Sequence, residues 1–383
     1  MKVLLILILA WHILSAISQA KSINNDDKIN GAIDLGCTFL LHDQNSNGSW
    51  GSPTQTKNLN IFAPIPGSHR AFKLAVTALS VSALIEAKGA DPIYAEIILK
   101  GKDFLLKELP QLRRATPIAI YNVWSHSFGI EALCRLYKSK LFEEDEDKLI
   151  EIITQQVKML EKYESIDGGW GYYDFRAKTQ KPSGSSISFV NATGLIALKK
   201  AEEIGVNIPS KLVNRSLNAI LRQRLPDHSF LYGEYLKNRP RLGINRPAGS
   251  LGRSNACNYA LQIWGNDTVN DKVHITCLDR LFTRKGWLDI ARKRPIPHES
   301  WFAVAGYFFY YGHLYASHCI STLNQPDRAK YQQKLAETLV PLQEKDGSWW
   351  DFPLYNYHKQ YGTAMAILSL NRCLVTSLNH QKL

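Results

Sequence analysis

The strongest constraint on this chain is a short pattern that it uses three times. Gln44-Asn-Ser-Asn-Gly-Ser-Trp50, Ser165-Ile-Asp-Gly-Gly-Trp170 and Gln343-Glu-Lys-Asp-Gly-Ser-Trp349 each set a turn dipeptide just before a tryptophan. Asn-Gly or Asp-Gly supports a tight turn, because glycine accepts positive φ without steric cost. The following indole can staple that turn to the next helix, a burial worth on the order of a few kcal/mol. Each copy follows an apolar stretch with helical spacing and precedes a segment of small apolar residues such as Gly362-Thr-Ala-Met-Ala-Ile-Leu. The tryptophans lie 120 and 179 residues apart. Those intervals are two and three units of roughly 60 residues, so further copies lie between them.

Gly101 to Lys107 with Ser125 to Leu133, Ser216 to Leu221 with Ser254 to Leu261, and Cys277 to Phe282 with Tyr311 to Cys319 supply the missing helix pairs. The total is six, and no segment has convincing strand periodicity. The first helix of each pair is amphipathic, as in Tyr331 to Val340, and faces water on one side. The second is apolar nearly all round and rich in Ala, Gly, Ser and Thr, so it is buried among close neighbours. Six outer and six inner helices close into a ring without exposed solenoid ends. The expected fold is therefore all-α, an (α/α)6 toroid forming a single domain over residues 21–383.

The hinges with Gln44 and Gln343 resemble the QW repeats of squalene-hopene cyclases. The whole mature chain resembles the prenyltransferase/squalene-oxidase repeat family, in particular its exported bacterial members. The echoes are Asp167-Gly-Gly-Trp-Gly-Tyr-Tyr-Asp174, Ser250-Leu-Gly-Arg-Ser-Asn-Ala-Cys257, Tyr311-Gly-His-Leu-Tyr-Ala316 and Tyr361-Gly-Thr-Ala-Met-Ala366. The resemblance implies an α/α toroid with a central cavity and terpenoid-cyclase-like chemistry. The chain departs from it in four ways. It has no D-x-D-D proton donor, no D-x-C zinc pair and no G-C-G-E-Q thioester, and its length suits one barrel where such cyclases usually have two.

Val3 to Ile17 is an apolar run behind Lys2, with Ser18-Gln19-Ala20 at its end. That pattern is a signal peptide over residues 1–20, with export to the periplasm or beyond and an uncleaved N-terminal anchor as the minor alternative. The net charge is +12. It concentrates between Arg222 and Arg253, which suits an acidic glycan, a carboxylate ligand or peripheral attachment to an envelope. Export and the lack of a nucleic-acid motif exclude nucleic acid as a partner. The six cysteines include no C-x-x-C pair and sit in helix-like runs, so they read as small buried hydrophobes. No cofactor is called for. Histidine spacing gives no metal site, since His298-Glu299 is not H-E-x-x-H.

In a toroid the cavity opens at the mouth of the inner helices, so polar groups near their starts are the candidates. Two constellations follow. An aromatic set including Trp170, Tyr172, Tyr173, Phe175 and the run from Trp301 to Tyr311 suits an isoprenoid and its carbocations, with Asp174 as the acid. A polar set suits β-elimination on uronic acids: Arg246, Arg253 and Asn255 neutralise the sugar carboxylate, while His313 or His298 and Tyr311 move protons. The shared aromatic and acidic additions after two of the hinges, Tyr172 to Asp174 and Trp350-Asp351, point to a ligand, with Tyr361 facing the same cavity. The expected catalytic residues are Asp174, His313 and Tyr311. The expected ligand contacts are Arg246, Arg253, Asn255, Tyr172, Trp350 and Tyr361. Three functions remain open: a terpenoid enzyme, a polysaccharide lyase or other glycan-active enzyme, and a non-catalytic envelope binding protein.

Overall fold

The computed structural model describes residues 26–57, 67–89, 91–174, 181–184, 186–299 and 302–374. The signal segment, Phe175 and Trp301 lie outside them. The outer helices are α1 (26–42), α3 (Pro92–Glu108), α5 (Glu146–Tyr163), α7 (Ser210–Gln223), α9 (Asp271–Thr283) and α12 (Asp327–Leu339). The inner helices are α2 (Ser68–Lys88), α4 (Asn122–Ser139), α6 (Ser188–Glu202), α8 (Leu251–Ile263), α11 (Phe308–Thr322) and α13 (His358–Asn371). A short additional helix, α10 (Lys285–Ala291), interrupts the fifth connection. Among the described residues there are no strands, only isolated bridges.

Each inner helix packs on the next in the order α2, α4, α6, α8, α11, α13, and α13 packs back on α2. The ring is closed, an (α/α)6 toroid as the periodicity requires. Small residues set the inner spacing. A Cβ at Gly312 of α11 would lie 2.8 Å from the Cα of Gly252 of α8, so the two backbones touch there. Among the described residues no helix is long and apolar enough to cross a membrane.

The three tryptophan hinges share one geometry. The indole N–H donates to the carbonyl ten residues upstream in every case: Trp50 to Leu40 at 2.7 Å, Trp170 to Leu160 at 2.8 Å and Trp349 to Leu339 at 2.9 Å. The turn then docks on a different outer helix. Gln343 Nε2 donates to the Gly347 and Ala32 carbonyls, both at 2.9 Å. Gln44 does the same with Gly48 and Ile97. The last hinge therefore clasps α1 and locks the sixth helix pair to the first.

The basic connection hides a fourth copy. In Asp227-His228-Ser229-Phe230 the Asp227 carboxylate accepts from the Ser229 N–H at 3.1 Å and its hydroxyl at 2.6 Å, as Asp346 does from Ser348. His228 takes glycine's place at φ 64°, and Phe230 takes the tryptophan's. The sequence pattern did not reveal it because both marker residues are replaced while the turn survives.

All six cysteines are buried free thiols. Burial pushes several of them up, Cys37 and Cys257 to about 12. Reductant should leave the melting temperature unchanged, and thiol titration should find six reactive groups only after denaturation. A titre below six in oxidised, denatured protein would contradict this.

Candidate functional site

The connections from outer to inner helices are long, and the longest are 43–67, 164–187, 224–250 and 284–307. The reverse connections are short, such as 89–91 and 323–326. Long loops gathered at one end of a rigid scaffold are where binding groups collect. That end is the N-terminal mouth of the inner ring. Phe72 near the start of α2 packs on Tyr121 before α4 and on Tyr357 before α13. Across the ring, Phe189 at the start of α6 meets Phe308 at the start of α11, at 4.8 Å.

Aromatic side chains fill the barrel axis beneath this mouth. Trp124 of α4 packs on Phe128, Phe189 and Tyr311 with centroid separations of 5.6 to 6.3 Å. The Tyr311 hydroxyl donates to the Phe189 carbonyl at 2.9 Å and also meets the Thr193 hydroxyl at 2.9 Å. These groups form a floor, and Trp124 is half-buried. A deep apolar pocket along the axis would need the volume they occupy.

Above the floor stands a belt of phenols. Tyr121 stacks on Tyr172 at 5.3 Å and hydrogen-bonds to Tyr173, and Tyr172 hydrogen-bonds to Tyr232. The Tyr232 hydroxyl lies 3.5 Å from that of Tyr307, which lies 3.0 Å from His298 Nε2. His298 Nδ1 lies 3.2 Å from the Ala303 carbonyl. A carbonyl only accepts, so Nδ1 carries the proton and Nε2 is a base that accepts from Tyr307. Burial first, and Arg253 nearby, hold His298 down at about 4, so the ring is neutral at physiological pH. Burial holds the Tyr307 phenol well above its usual range. The His298 backbone sits at φ 58°, a strained conformation for a residue with a side chain.

Arg253 is wholly buried beneath this group. Its guanidinium donates to the Phe230 carbonyl at 2.9 and 3.1 Å, to Gly249 at 2.9 Å and to Ile244. It lies 5.7 Å from the Tyr232 ring, and no carboxylate pairs with it among the described residues. Burial lowers it to about 10, still charged at neutral pH. The inner-helix N-termini add partial positive charge at the same end. The mouth is therefore aromatic, hydroxylated and electropositive.

The sequence-derived candidates are scattered around this geometry. Tyr172 stands in the phenol belt and Tyr311 lies in the floor. Arg253 reaches the mouth through its field, because each of its three nitrogens donates to a carbonyl. Arg246 is exposed and donates to the Arg241 carbonyl at 2.9 Å. His313 packs on Phe309 and on Phe282 of α9, facing the outer ring. Two residues past Tyr311 is about 200° around a helix, so both cannot face the axis. Asp174 is buried, with one oxygen accepting from Ser183 at 2.9 Å. Asn255 is buried in α8, and neither polar atom of its amide has a hydrogen bond among the described residues. Trp350 lies between Lys57 and Lys293, at 4.5 and 4.6 Å, away from the tyrosines. Asp174, Arg246, Arg253 and His313 thus do not converge.

Tyr361 has a different partner. Its hydroxyl donates to Asp351 Oδ1 at 2.5 Å, while Asp351 Oδ2 accepts from the Tyr310 N–H at 3.0 Å in the first turn of α11. Burial raises Asp351 from 3.8 to about 7. A carboxyl raised on folding contributes stability that is complete below about pH 4 and is lost as pH rises through about 7. Relative to Asp351→Asn, the wild type should therefore lose ~4 kcal/mol of stability between about pH 4 and pH 8. Urea unfolding of both proteins at the two pH values measures this, and a difference independent of pH would contradict it.

Fold and mouth together define a closed α/α toroid with an aromatic, electropositive opening. No protein-family model matches the chain, and no curated protein matches it either. Among solved structures, it is similar to the type II terpene cyclase MstE from Scytonema in complex with geranylgeranyl dihydroxybenzoate. That match has 12% identity and a TM-score of 0.54, covering 92% of this chain and 99% of the cyclase chain. A Salegentibacter α-1,6-mannanase in complex with α-1,6-mannotriose matches with 12% identity and a TM-score of 0.55, over 90% and 99% of the two chains. A family 76 glycoside hydrolase from Bacteroides thetaiotaomicron matches with 10% identity and a TM-score of 0.57, over 92% and 78%. The coverage of both chains agrees with the expectation from length that this chain forms one toroid.

Proposed function

We propose that this is an exported toroid enzyme that binds an acidic glycan at the N-terminal mouth and cleaves it by β-elimination. The observation that carries this is the hydrogen-bonded pair of His298 and Tyr307 above the uncompensated charge of Arg253. Tyrosine faces and hydroxyls suit a sugar ring, and the positive field suits its carboxylate. Stabilising the carboxylate acidifies the proton on the adjacent carbon. The His298–Tyr307 pair takes that proton, the C–O bond to the neighbouring sugar breaks with its electrons on oxygen, and the pair returns a proton to that oxygen. The product carries a new C=C bond conjugated to the carboxylate.

The two alternatives from the solved structures find less support in these residues. The mannanase in that complex is inactive with two consecutive aspartates replaced. The only Asp-Asp pair here is Asp26-Asp27, at the start of an outer helix. Terpenoid cyclisation needs an acid at the end of a deep apolar pocket. Asp351 is raised enough, but Tyr310 and Tyr361 occupy both its oxygens.

Incubation with a panel of uronate polysaccharides, read by the ultraviolet absorbance of the unsaturated product, tests the proposal. Activity should fall on the acid side through about pH 4, where His298 gains its proton. No absorbance change with any uronate polymer, alongside turnover of a polyprenyl substrate, would overturn it.

A further inference from the structure

The opposite end of the barrel holds a concavity lined by none of the residues of the N-terminal mouth. Its volume is about 870 Å³, within the usual range for ligand sites. The C-terminal turns of the inner helices build it. Glu131, one helical turn before Arg135 on α4, is only 6% exposed. Its Oε2 lies 3.4 Å from Arg135 Nη1, but Oε1 has no hydrogen-bond partner among the described residues. Burial raises the Glu131 carboxyl above its ordinary value, so a cation at Oε1 would relieve a real cost.

The positive groups nearby are arranged differently. Arg135 and Arg372 both direct a nitrogen to Glu86 Oε1, at 2.7 and 3.1 Å. One carboxylate is thus shared by two guanidiniums, and Arg135 also reaches Glu131, so the surplus positive charge comes from the lysines farther out. Farther out, Lys138 and Lys200 share Glu203 in the same way. Tyr259 and His318 stack at 4.9 Å and make a flat wall. A pure cation would meet four basic side chains here, and a pure anion would meet the unpartnered Glu131 oxygen. A molecule carrying both charges satisfies both.

We infer that this C-terminal mouth binds a zwitterionic small molecule of short-peptide size, its ammonium on Glu131 and its carboxylate on Arg135 and Arg372. The buried Glu131 carboxylate suits the ammonium, and the guanidinium forks suit a carboxylate. None of these residues belongs to the N-terminal mouth, so the inference stands apart from β-elimination.

Calorimetric titration of the full protein with trialanine, N-acetyl-trialanine and trialanine amide tests it. Trialanine should bind saturably at one site, and each blocked form should bind about tenfold more weakly or worse. Glu131→Gln should bind the free and acetylated peptides alike, while His298→Ala should bind trialanine as the wild type does. Absence of saturable trialanine binding at millimolar concentration would overturn the inference, as would equal affinity for the acetylated peptide. The blocked peptides decide on the wild type alone if Glu131→Gln does not fold.

Discussion

Trp349→Ala will destabilise the protein by about 3–5 kcal/mol, the range for truncating a fully buried large aromatic side chain. Trp349 is wholly buried. Its ring packs against Gly36 of α1, where a Cβ would come within 2.8 Å of the indole. Its indole N–H satisfies the Leu339 carbonyl at 2.9 Å, and its backbone N–H donates to the Thr363 hydroxyl of α13 at 2.9 Å. Truncation therefore opens a cavity and leaves an orphaned carbonyl at the point where the last hinge holds the first outer helix. The loss is a large share of the 5–15 kcal/mol typical of a folded domain. Gly347→Ala should act at the same place. Its φ of 84° disfavours alanine, and the new Cβ would lie 2.4 Å from the Leu35 carbonyl oxygen. Urea unfolding followed by circular dichroism measures both variants. A loss below about 1 kcal/mol for Trp349→Ala would mean that the hinge does not close the ring.

The second large effect concerns activity. If β-elimination runs at the N-terminal mouth, His298→Ala will lower kcat by about 10²–10⁴, the usual contribution of a positioned acid or base. Tyr307→Phe keeps the ring and removes only the hydroxyl. It should cost a comparable factor in kcat with little change in KM or in melting temperature, because Tyr307 is half-buried and its ring contacts survive. Arg253→Lys is expected to behave otherwise. An ammonium donates from a single point and cannot reproduce the four spread bonds by which the guanidinium holds three carbonyls. It should lower stability as well as activity. Unchanged kcat in both His298→Ala and Tyr307→Phe would remove the catalytic assignment and leave the mouth as a binding surface.

How far the sequence reaches is clearest at the hinges. The tryptophan spacing implied six units, and the apolar second helices implied an inner ring. Both follow from local patterning, since each repeat exposes a face that only its neighbours can cover. The fourth hinge escaped because His228 and Phe230 stand where Gly and Trp were sought, while the Asp227–Ser229 turn that defines it is shared. Site residues were legible by level along the barrel but not by direction. Tyr172 and Tyr311 fell at the N-terminal mouth, yet His313 turned outward and Arg253 turned onto backbone carbonyls. Helix rotation and loop closure set those directions, and sequence proximity records neither. Tyr121, Trp124 and Tyr232 were missed for the same reason. Each is an ordinary aromatic in its own segment, and only ring closure brings it into the belt.

The C-terminal cavity shows the same limit in charges. Glu86, Lys200 and Arg372 stand in or just beyond the last turns of inner helices, and Glu131 and Arg135 stand one to two turns earlier on α4. That placement was visible as an interruption of the apolar pattern. Their mutual pairing was not, because Glu86 and Arg372 are far apart in the chain. The sequence alone determined an all-α ring of six pairs hinged by turn-and-tryptophan motifs, since periodicity and turn chemistry are local properties. Only the tertiary structure decided which polar groups meet at each mouth, because closing the ring fixes the rotation of every inner helix about its axis.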